Sequence, residues 1–417
     1  MDAVILAAGL GKRMGETKPI LNIFGIPLIE HTLRRINARN VVIVYHDPRI
    51  PQIIRKKGFK VKLVYNPYPE RGNGYSLYLA REYIQDDFIL VMGDHLFDES
   101  FFHEAFIPEK TTLLVGKSTL IDPEEATKVK IRDGKIVDIG KEITSYDYYD
   151  TGFFICKPSI FEYAHDLINQ QKRVSLSEII RRIVKIEGVA ARITDADWVD
   201  IDFPEDLEKA EKIIKKMLTK SEDGLVSRYI NRRFSLAITR ILSRFNITPN
   251  QVSVMSFILA VFSGITFGYG NLIVGGVLAQ ISSILDGCDG ELARLKNMKS
   301  RYGAVFDTVL DRYADFIIIA GIIIAHDVNI LIPGLFALIG SLQPSYLRAR
   351  FNYHNPLTSR DVRLFLIFIM GISGLVIPIL LIIGVLTNGG VLYSLFKFRK
   401  TSSSTSHSSI SLSSPRQ

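Results

Sequence analysis

From about Val252 to Phe396 the chain is a succession of long apolar runs, and four aspartates lie inside them. A run such as VSVMSFILAVFSGITFGYG approaches the ~20 residues that a helix needs to cross a bilayer. Lysine and arginine come only in clusters here. Lys296, Lys299 and Arg301 fall in one inter-helix loop, Arg348, Arg350, Arg360 and Arg363 in another, and Lys397, Arg399 and Lys400 close the series. The turns near Gly270-Asn271 and His326-Asp327 carry neither residue. An excess of lysine and arginine marks cytoplasmic loops, so this pattern predicts six spans with both termini in the cytoplasm. Leu364–Phe396 is long for one span and short for two, and its split near Gly374 rests on charge parity. Because the apolar runs begin after residue 250, none reads as a signal peptide, and the N-terminal half is expected to stay in the cytoplasm.

Carboxylates in an apolar helix are expensive and by default mark a functional site. Asp286 and Asp289 are three apart, Asp307 and Asp311 four apart, and either spacing places a pair on one helical face. Four acids facing one another repel unless cations lie between them. Hard oxygen donors in this number suit magnesium, manganese or calcium, and a two-metal clamp on a transferring phosphoryl group is the expected use. An acidic ion pathway is the competing reading, but it leaves the surrounding glycine, alanine and arginine positions unexplained.

Residues 1–222 have a different character. AVILAA, VVIVY, VKLVY, FILVM and TLLVG are short β-branched runs, and helical-period stretches such as IEHTLRRINAR and GYSLYLAREYI lie between several of them. This alternation predicts a Rossmann-like α/β domain with a mostly parallel sheet. VKIRDGKIVDIG reads as a hairpin turning at Asp133-Gly134. Residues 223–246 follow a short linker. There Ile230, Phe234, Ile238, Ile241 and Phe245 form one face of a helix and Arg228, Arg232, Arg240 and Arg244 the other, as in a helix lying flat on a membrane. An all-α transmembrane domain of six helices is expected over 247–400, and the serine-rich residues 401–417 are expected to be disordered. The two cysteines fall one in each half, which argues against a disulfide framework or a zinc site. The net charge of +8 could suggest nucleic acid, but membrane topology accounts for the basic residues of the second half, and no nucleic-acid partner is expected.

In VILAAGLGKRMGETKP (4–19) a buried strand runs into glycines 9, 11 and 15, with Lys12, Arg13 and Lys18 interleaved. Glycines let backbone amides approach phosphate oxygens, and the basic side chains neutralise their charge. Met14 rules out the dinucleotide fingerprint, and the absence of Gly-Lys-Ser/Thr rules out a P-loop.

The string as a whole resembles the signature of the sugar-nucleotidyltransferase family, with Lys18 before rather than after its proline. GIPLIEHTL (25–33), RGNGYSL (71–77), VMGDH (91–95) and WVDIDFPEDLEKAE (198–211) extend the resemblance over the whole first domain. It implies nucleotide binding by Ala8, Gly9, Gly11, Lys12, Arg13, Asn73, Gly74 and Asp94, and catalytic roles for Arg13 and Lys18. Magnesium, with manganese as an alternative, would sit on Asp94 and Asp202, Asp200 competing for the latter place. Lys141 would take the substrate phosphate.

The aspartate pattern is similar at all eight fixed positions to the signature of the CDP-alcohol phosphotransferase family. That resemblance implies metal binding by Asp286, Asp289, Asp307 and Asp311, with Asp311 also deprotonating the acceptor hydroxyl. Gly290 and Ala293 would leave room for cytidine, and Arg294 would support the site from the helix end. ITPNQVS (247–253) looks like the family's entry to its first span, and a homodimer through the membrane helices is implied. Arg348 and Arg360 would bind an anionic acceptor, although topology alone also accounts for them.

The pairing of the two domains resembles bifunctional enzymes that make di-myo-inositol phosphate. Implied are synthesis of CDP-inositol from CTP and inositol-1-phosphate, then its transfer to a second inositol-1-phosphate. Transfer of the phospho-alcohol to a lipid hydroxyl is the alternative.

Overall fold

In the computed structural model the chain divides into two compact units, Met1–Met217 and Leu218–Gln417. The structure describes all residues except 104–108, 119, 121, 220–222, 352–354 and 409–417, and it leaves out the side chains of 348–351 and 398–408. The end of the serine-rich tail therefore lies outside the described residues.

The first unit is built on a nine-stranded sheet. Its strands are β1 (Asp2–Ala7), β2 (Val41–Tyr45), β3 (Lys62–Tyr65), β4 (Phe88–Met92), β5 (Thr112–Gly116), β6 (Lys128–Arg132), β7 (Lys135–Gly140), β8 (Tyr148–Cys156) and β9 (Val189–Thr194). Across the sheet their order is β3-β2-β1-β4-β8-β5-β9-β7-β6. The five strand-like runs read from the sequence are β1 to β5. Side chains alternate across the sheet, so Val4 and Leu6 of β1 enter one core with Leu77, Phe154 and Ile179. Ala3 and Ile5 enter the other with Ile29, Phe97 and Trp198.

The expectation of a mostly parallel sheet needs correction. β3, β2, β1 and β4 are mutually parallel, as are β5 and β9, but β8 runs antiparallel to both β4 and β5. β8 lies between β4 and β5 and its start also pairs antiparallel with β6, so residues 141–147 lead from β7 to a strand that is not its neighbour. The β6–β7 hairpin turns at Asp133 and Gly134, both with positive φ, as a two-residue turn matched to strand twist requires.

The second unit is helical: α1 (Arg232–Leu242), α2 (Pro249–Gly268), α3 (Leu272–Leu295), α4 (Arg301–Ile324), α5 (Leu331–Phe351), α6 (Arg360–Ser373) and α7 (Val376–Ser408). A Thr248/Gln251 capping box with Pro249 in the first turn starts α2. Gly374, in the left-handed region at φ 70°, ends α6, so α6 and α7 separate at that residue. Among the described residues four segments are long and apolar enough to cross a membrane: Pro249–Gly268, Leu272–Leu295, Val328–Leu347 and Val376–Lys397. Two further helices are not among them. α4 carries Asp307, Asp311, Arg312 and Asp315, and α6 has 14 residues, about 21 Å at 1.5 Å per residue.

Close approach between helices depends on missing side chains. A Cβ on Gly321 of α4 would collide with the Gly264 carbonyl of α2, and one on Gly276 of α3 would press on the Gly371 backbone of α6. Such small-residue crossings let helix backbones approach closely.

Helix α1 departs from its expected facing. Phe234, Ile241 and Phe245 are indeed turned outward, 55–57% exposed. The opposite face, however, is a buried stripe of Asn231, Ser235, Thr239 and Ser243. Arg232, expected on the solvent side, turns inward to Asp223 and Glu291, because two carboxylates there offer it charge-assisted hydrogen bonds.

Candidate active sites

In the first unit the site forms at the C-terminal ends of β1 and β4, where open α/β sheets bind their ligands. β1 ends at Ala7, and the chain passes through buried Ala8 and exposed Gly9 into the glycine loop. Gly11 has φ +59°, and a Cβ there would strike the Glu16 carbonyl oxygen. Lys12 and Arg13 are exposed on this loop.

Beyond β4, Asp94 precedes a short strand, His95–Phe97, which pairs antiparallel with Trp198–Asp200 so that His95 faces Asp200. That pairing brings three acids around Lys18. Its Nζ lies 2.6 Å from Asp202, 3.2 Å from Asp94 and 3.6 Å from Asp200. Burial works against the Lys18 ammonium, but these carboxylates raise its pKa above the ordinary amine value. Burial likewise pushes Asp200 up to about 7. Burial opposes charge on His95 as well, but Asp200 and Asp94 raise it to about 9. Ligand atoms of Asp94, His95 and Asp200 lie within 4.8 Å of one another, an arrangement that could hold a metal ion; Asp202 is outside that group.

Arg13 and Lys141 meet at one carboxylate that sequence reading missed. Glu125 Oε2 lies 2.9 Å from Arg13 and 3.3 Å from Lys141, and Arg13 also lies 3.7 Å from Asp202. The 71–74 loop is pinned elsewhere: Asn73 accepts the Leu176 N–H at 2.7 Å, and Gly74 N–H donates to the Val174 carbonyl at 3.0 Å.

The site in the second unit is a cavity of about 800 Å³, lined by Asp289, Gly290, Ala293, Arg294, Asp307, Asp311, Arg360 and Arg363 among others. Asp286 and Asp289 descend from α3, and Asp307 and Asp311 from α4. Carboxylate oxygens of Asp286, Asp307 and Asp311 lie within 4.8 Å of one another. Asp289 accepts a hydrogen bond from Ser253 of α2. An all-oxygen donor set of this charge fits a hard divalent cation. Gly290 leaves the space into which the Arg294 guanidinium folds, 3.3 Å from where a Cβ would stand.

Arg360 extends from the start of α6 between the two acidic helices, 2.9 Å from Asp286 and 2.7 Å from Asp311. Its other edge lies 3.3 Å from Asp315, a buried acid one turn beyond Asp311 that Arg363 also holds at 2.7 Å. Sequence reading missed Asp315, although the i, i+4 series Asp307, Asp311, Asp315 was the available signal. The Arg348 side chain lies outside the described residues.

Residues 3–106 match the MobA-like NTP transferase domain, and residues 246–395 match the CDP-alcohol phosphatidyltransferase domain. The chain is 35% identical over 423 residues to "Bifunctional IPC transferase and DIPP synthase" of Aquifex aeolicus, which covers 94% of this chain and 97% of that protein. It is 36% identical over 359 residues to the protein of the same name from Archaeoglobus fulgidus, covering 84% and 71% respectively. A solved structure, "Structure of the inositol-1-phosphate CTP transferase from T. maritima", is 29% identical with a TM-score of 0.47, over 51% of this chain and 95% of that one.

Proposed function

The chain belongs to the family of bifunctional IPC transferases and DIPP synthases, and on that premise we propose how its two sites divide the chemistry. The first unit transfers CMP from CTP to inositol-1-phosphate and releases pyrophosphate. The second transfers phosphoinositol from CDP-inositol to another inositol-1-phosphate and releases CMP, leaving di-myo-inositol phosphate phosphate. The observation that carries this reading is the presence in one chain of two separate acid clusters, each with a guanidinium or ammonium group among its carboxylates.

In the first unit the glycine loop offers its backbone to the CTP phosphates, with Arg13 and Lys18 beside the reacting phosphorus. Lys141 receives the incoming phosphomonoester. Charge neutralisation and in-line positioning suffice for this reaction, because the attacking phosphate is already ionised. Asp94, with Asp202 or Asp200, holds magnesium, which when bound supplies charge neutralisation on the triphosphate. The proximity of Asp94, His95 and Asp200 supports Asp200 as the second ligand.

In the second unit Asp286, Asp289, Asp307 and Asp311 would hold divalent ions, which when bound would supply charge neutralisation on the CDP phosphates. Asp311 takes the proton of the acceptor hydroxyl. Arg360, which lines the cavity, holds the acceptor's phosphate, and Gly290 and Ala293 leave room for cytidine. We place α2 to α7 as six spans with both termini cytoplasmic. α4 spans with its charged half inside the bundle, and the apolar outer faces of the helices support a homodimer within the membrane.

Two substitutions in the full chain separate the half-reactions. Asp94→Ala abolishes CTP-dependent pyrophosphate release and leaves CMP release from supplied CDP-inositol. Asp289→Ala does the reverse. Loss of both activities from either substitution contradicts the division.

A further inference from the structure

Glu291 lies within the second signature, between Gly290 and Ala293, yet it takes no part in the cavity. It is completely buried (0% exposed) and accepts three hydrogen bonds, all from α1: Arg232 NH1 at 2.5 Å, Ser235 Oγ at 2.5 Å and Thr239 Oγ1 at 2.6 Å. Arg232 is in turn paired with Asp223. The same segment reaches α6, the helix that carries Arg360. The backbone N–H of Ser227 donates to Asp361 at 2.6 Å, and Asp361 is the neighbour of Arg360. One stretch of chain, 223–243, is thus tied to α3 and α6 at residues adjacent to those that line the reaction cavity.

Two residues apart on a helix are separated by about 200°, so Glu291 leaves α3 on the side opposite Asp289. A charge buried there is costly unless paired, and it is fully satisfied only when α1 is seated. The rotation of α3 about its own axis is then fixed from behind. Carboxylate oxygens lie roughly 6 Å from a helix axis, so a 10° rotation displaces them by about 1 Å. That displacement is enough to spoil a metal site or to cost about a hundredfold in rate.

We propose that Glu291 and Arg232 are positioning residues, a latch through which α1 holds α3 in the rotation that makes the membrane aspartates a metal site. The proposal rests on the metal-dependent reading of the second unit given above. It also assigns the buried polar stripe of α1 a purpose distinct from that of its exposed apolar face. Ser235 and Thr239 receive α3, while Phe234, Ile241 and Phe245 remain turned outward.

The test uses the full chain carrying Asp94→Ala, which removes the first unit's manganese site. Bound Mn2+ is titrated by electron paramagnetic resonance before and after adding Glu291→Gln or Arg232→Met. The Mn2+ concentration at half-saturation should rise about tenfold, the scale seen when groups supporting metal ligands are removed. CMP release from CDP-inositol should fall at least tenfold, while pyrophosphate release stays unchanged when Glu291→Gln is placed in the otherwise native chain. A role in folding alone would reduce the number of sites without moving the half-saturation point, and that result overturns the latch. Thr239→Val, which deletes one donor and keeps the shape, should shift the same titration by a smaller factor; an unmoved titration in this variant also overturns it. If Asp307→Ala leaves Mn2+ binding of the Asp94→Ala chain intact, the metal reading of the second unit fails, and the latch with it.

Discussion

Replacing Lys18 by methionine tests the first site most sharply, because this one ammonium faces three carboxylates at 2.6, 3.2 and 3.6 Å. At an effective dielectric of about 20, a pair of unit charges 4 Å apart interacts by about 4 kcal/mol before desolvation is counted. The net effect on folding is much smaller, because Asp200 and Asp94 are partly exposed and solvent screens the acids left behind. A cost of about 1–2 kcal/mol lies between the values for surface and buried pairs. The catalytic cost is larger. Removing one fixed charge or donor from a transition state costs about 10²- to 10³-fold. The raised Lys18 pKa means that the ammonium stays charged through the neutral range, so its loss should lower the rate throughout pH 6 to 9. The assay is pyrophosphate release from CTP and inositol-1-phosphate, with CMP release from supplied CDP-inositol as the internal control. Lys18→Met should lose the first by two to three orders of magnitude and keep the second. A first activity within threefold of the parent would refute the placement of Lys18 beside the reacting phosphorus.

Two further expectations follow from single contacts. Ser253→Ala removes the hydroxyl that donates to Asp289 and should raise the magnesium requirement of CMP release about tenfold; an unchanged magnesium titration would detach Ser253 from the site. His31 is buried, and burial, with Arg35 adding to it, pushes its pKa from the ordinary 6.5 down to about 3. The unfolded chain therefore binds a proton below pH 6.5 that the folded chain does not. The contribution of His31 is present above pH 6.5 and is lost as pH falls toward 3, by about 1.4 kcal/mol per unit. Urea unfolding followed by fluorescence of Trp198, the one tryptophan, should show this slope, and His31→Gln should flatten it; identical slopes would contradict the assignment.

Much of the architecture was readable because it is local. β-branched runs, the Asp133-Gly134 turn and the i, i+3 and i, i+4 aspartate spacings each depend on neighbours within a few residues. The break at Gly374 was read from charge parity along the apolar runs, and the structure shows its local cause in a left-handed cap. What escaped depends on distant segments. His95 meets Asp200 through a strand pair joining residues about a hundred apart, and Glu125 joins Arg13 to Lys141 across the sheet. The antiparallel course of β8 depends on its insertion between β4 and β5, distant strands that a reading based on β/α alternation does not bring together. Arg232 illustrates the same limit: helical periodicity placed it with the solvent-facing arginines, but two buried carboxylates turned it inward. A helical wheel counts apolar residues and does not record where an acid on another helix is waiting.

The most direct test of the central claim, that one chain carries out both transfers with a soluble acceptor, is phosphorus NMR on the purified full chain. The protein is given magnesium, CTP and inositol-1-phosphate, with no lipid added. A phosphodiester signal together with a retained phosphomonoester, and release of both pyrophosphate and CMP, is the predicted result. Accumulation of CDP-inositol with no phosphodiester would contradict the account of the second site and turn the search to a lipid hydroxyl as acceptor.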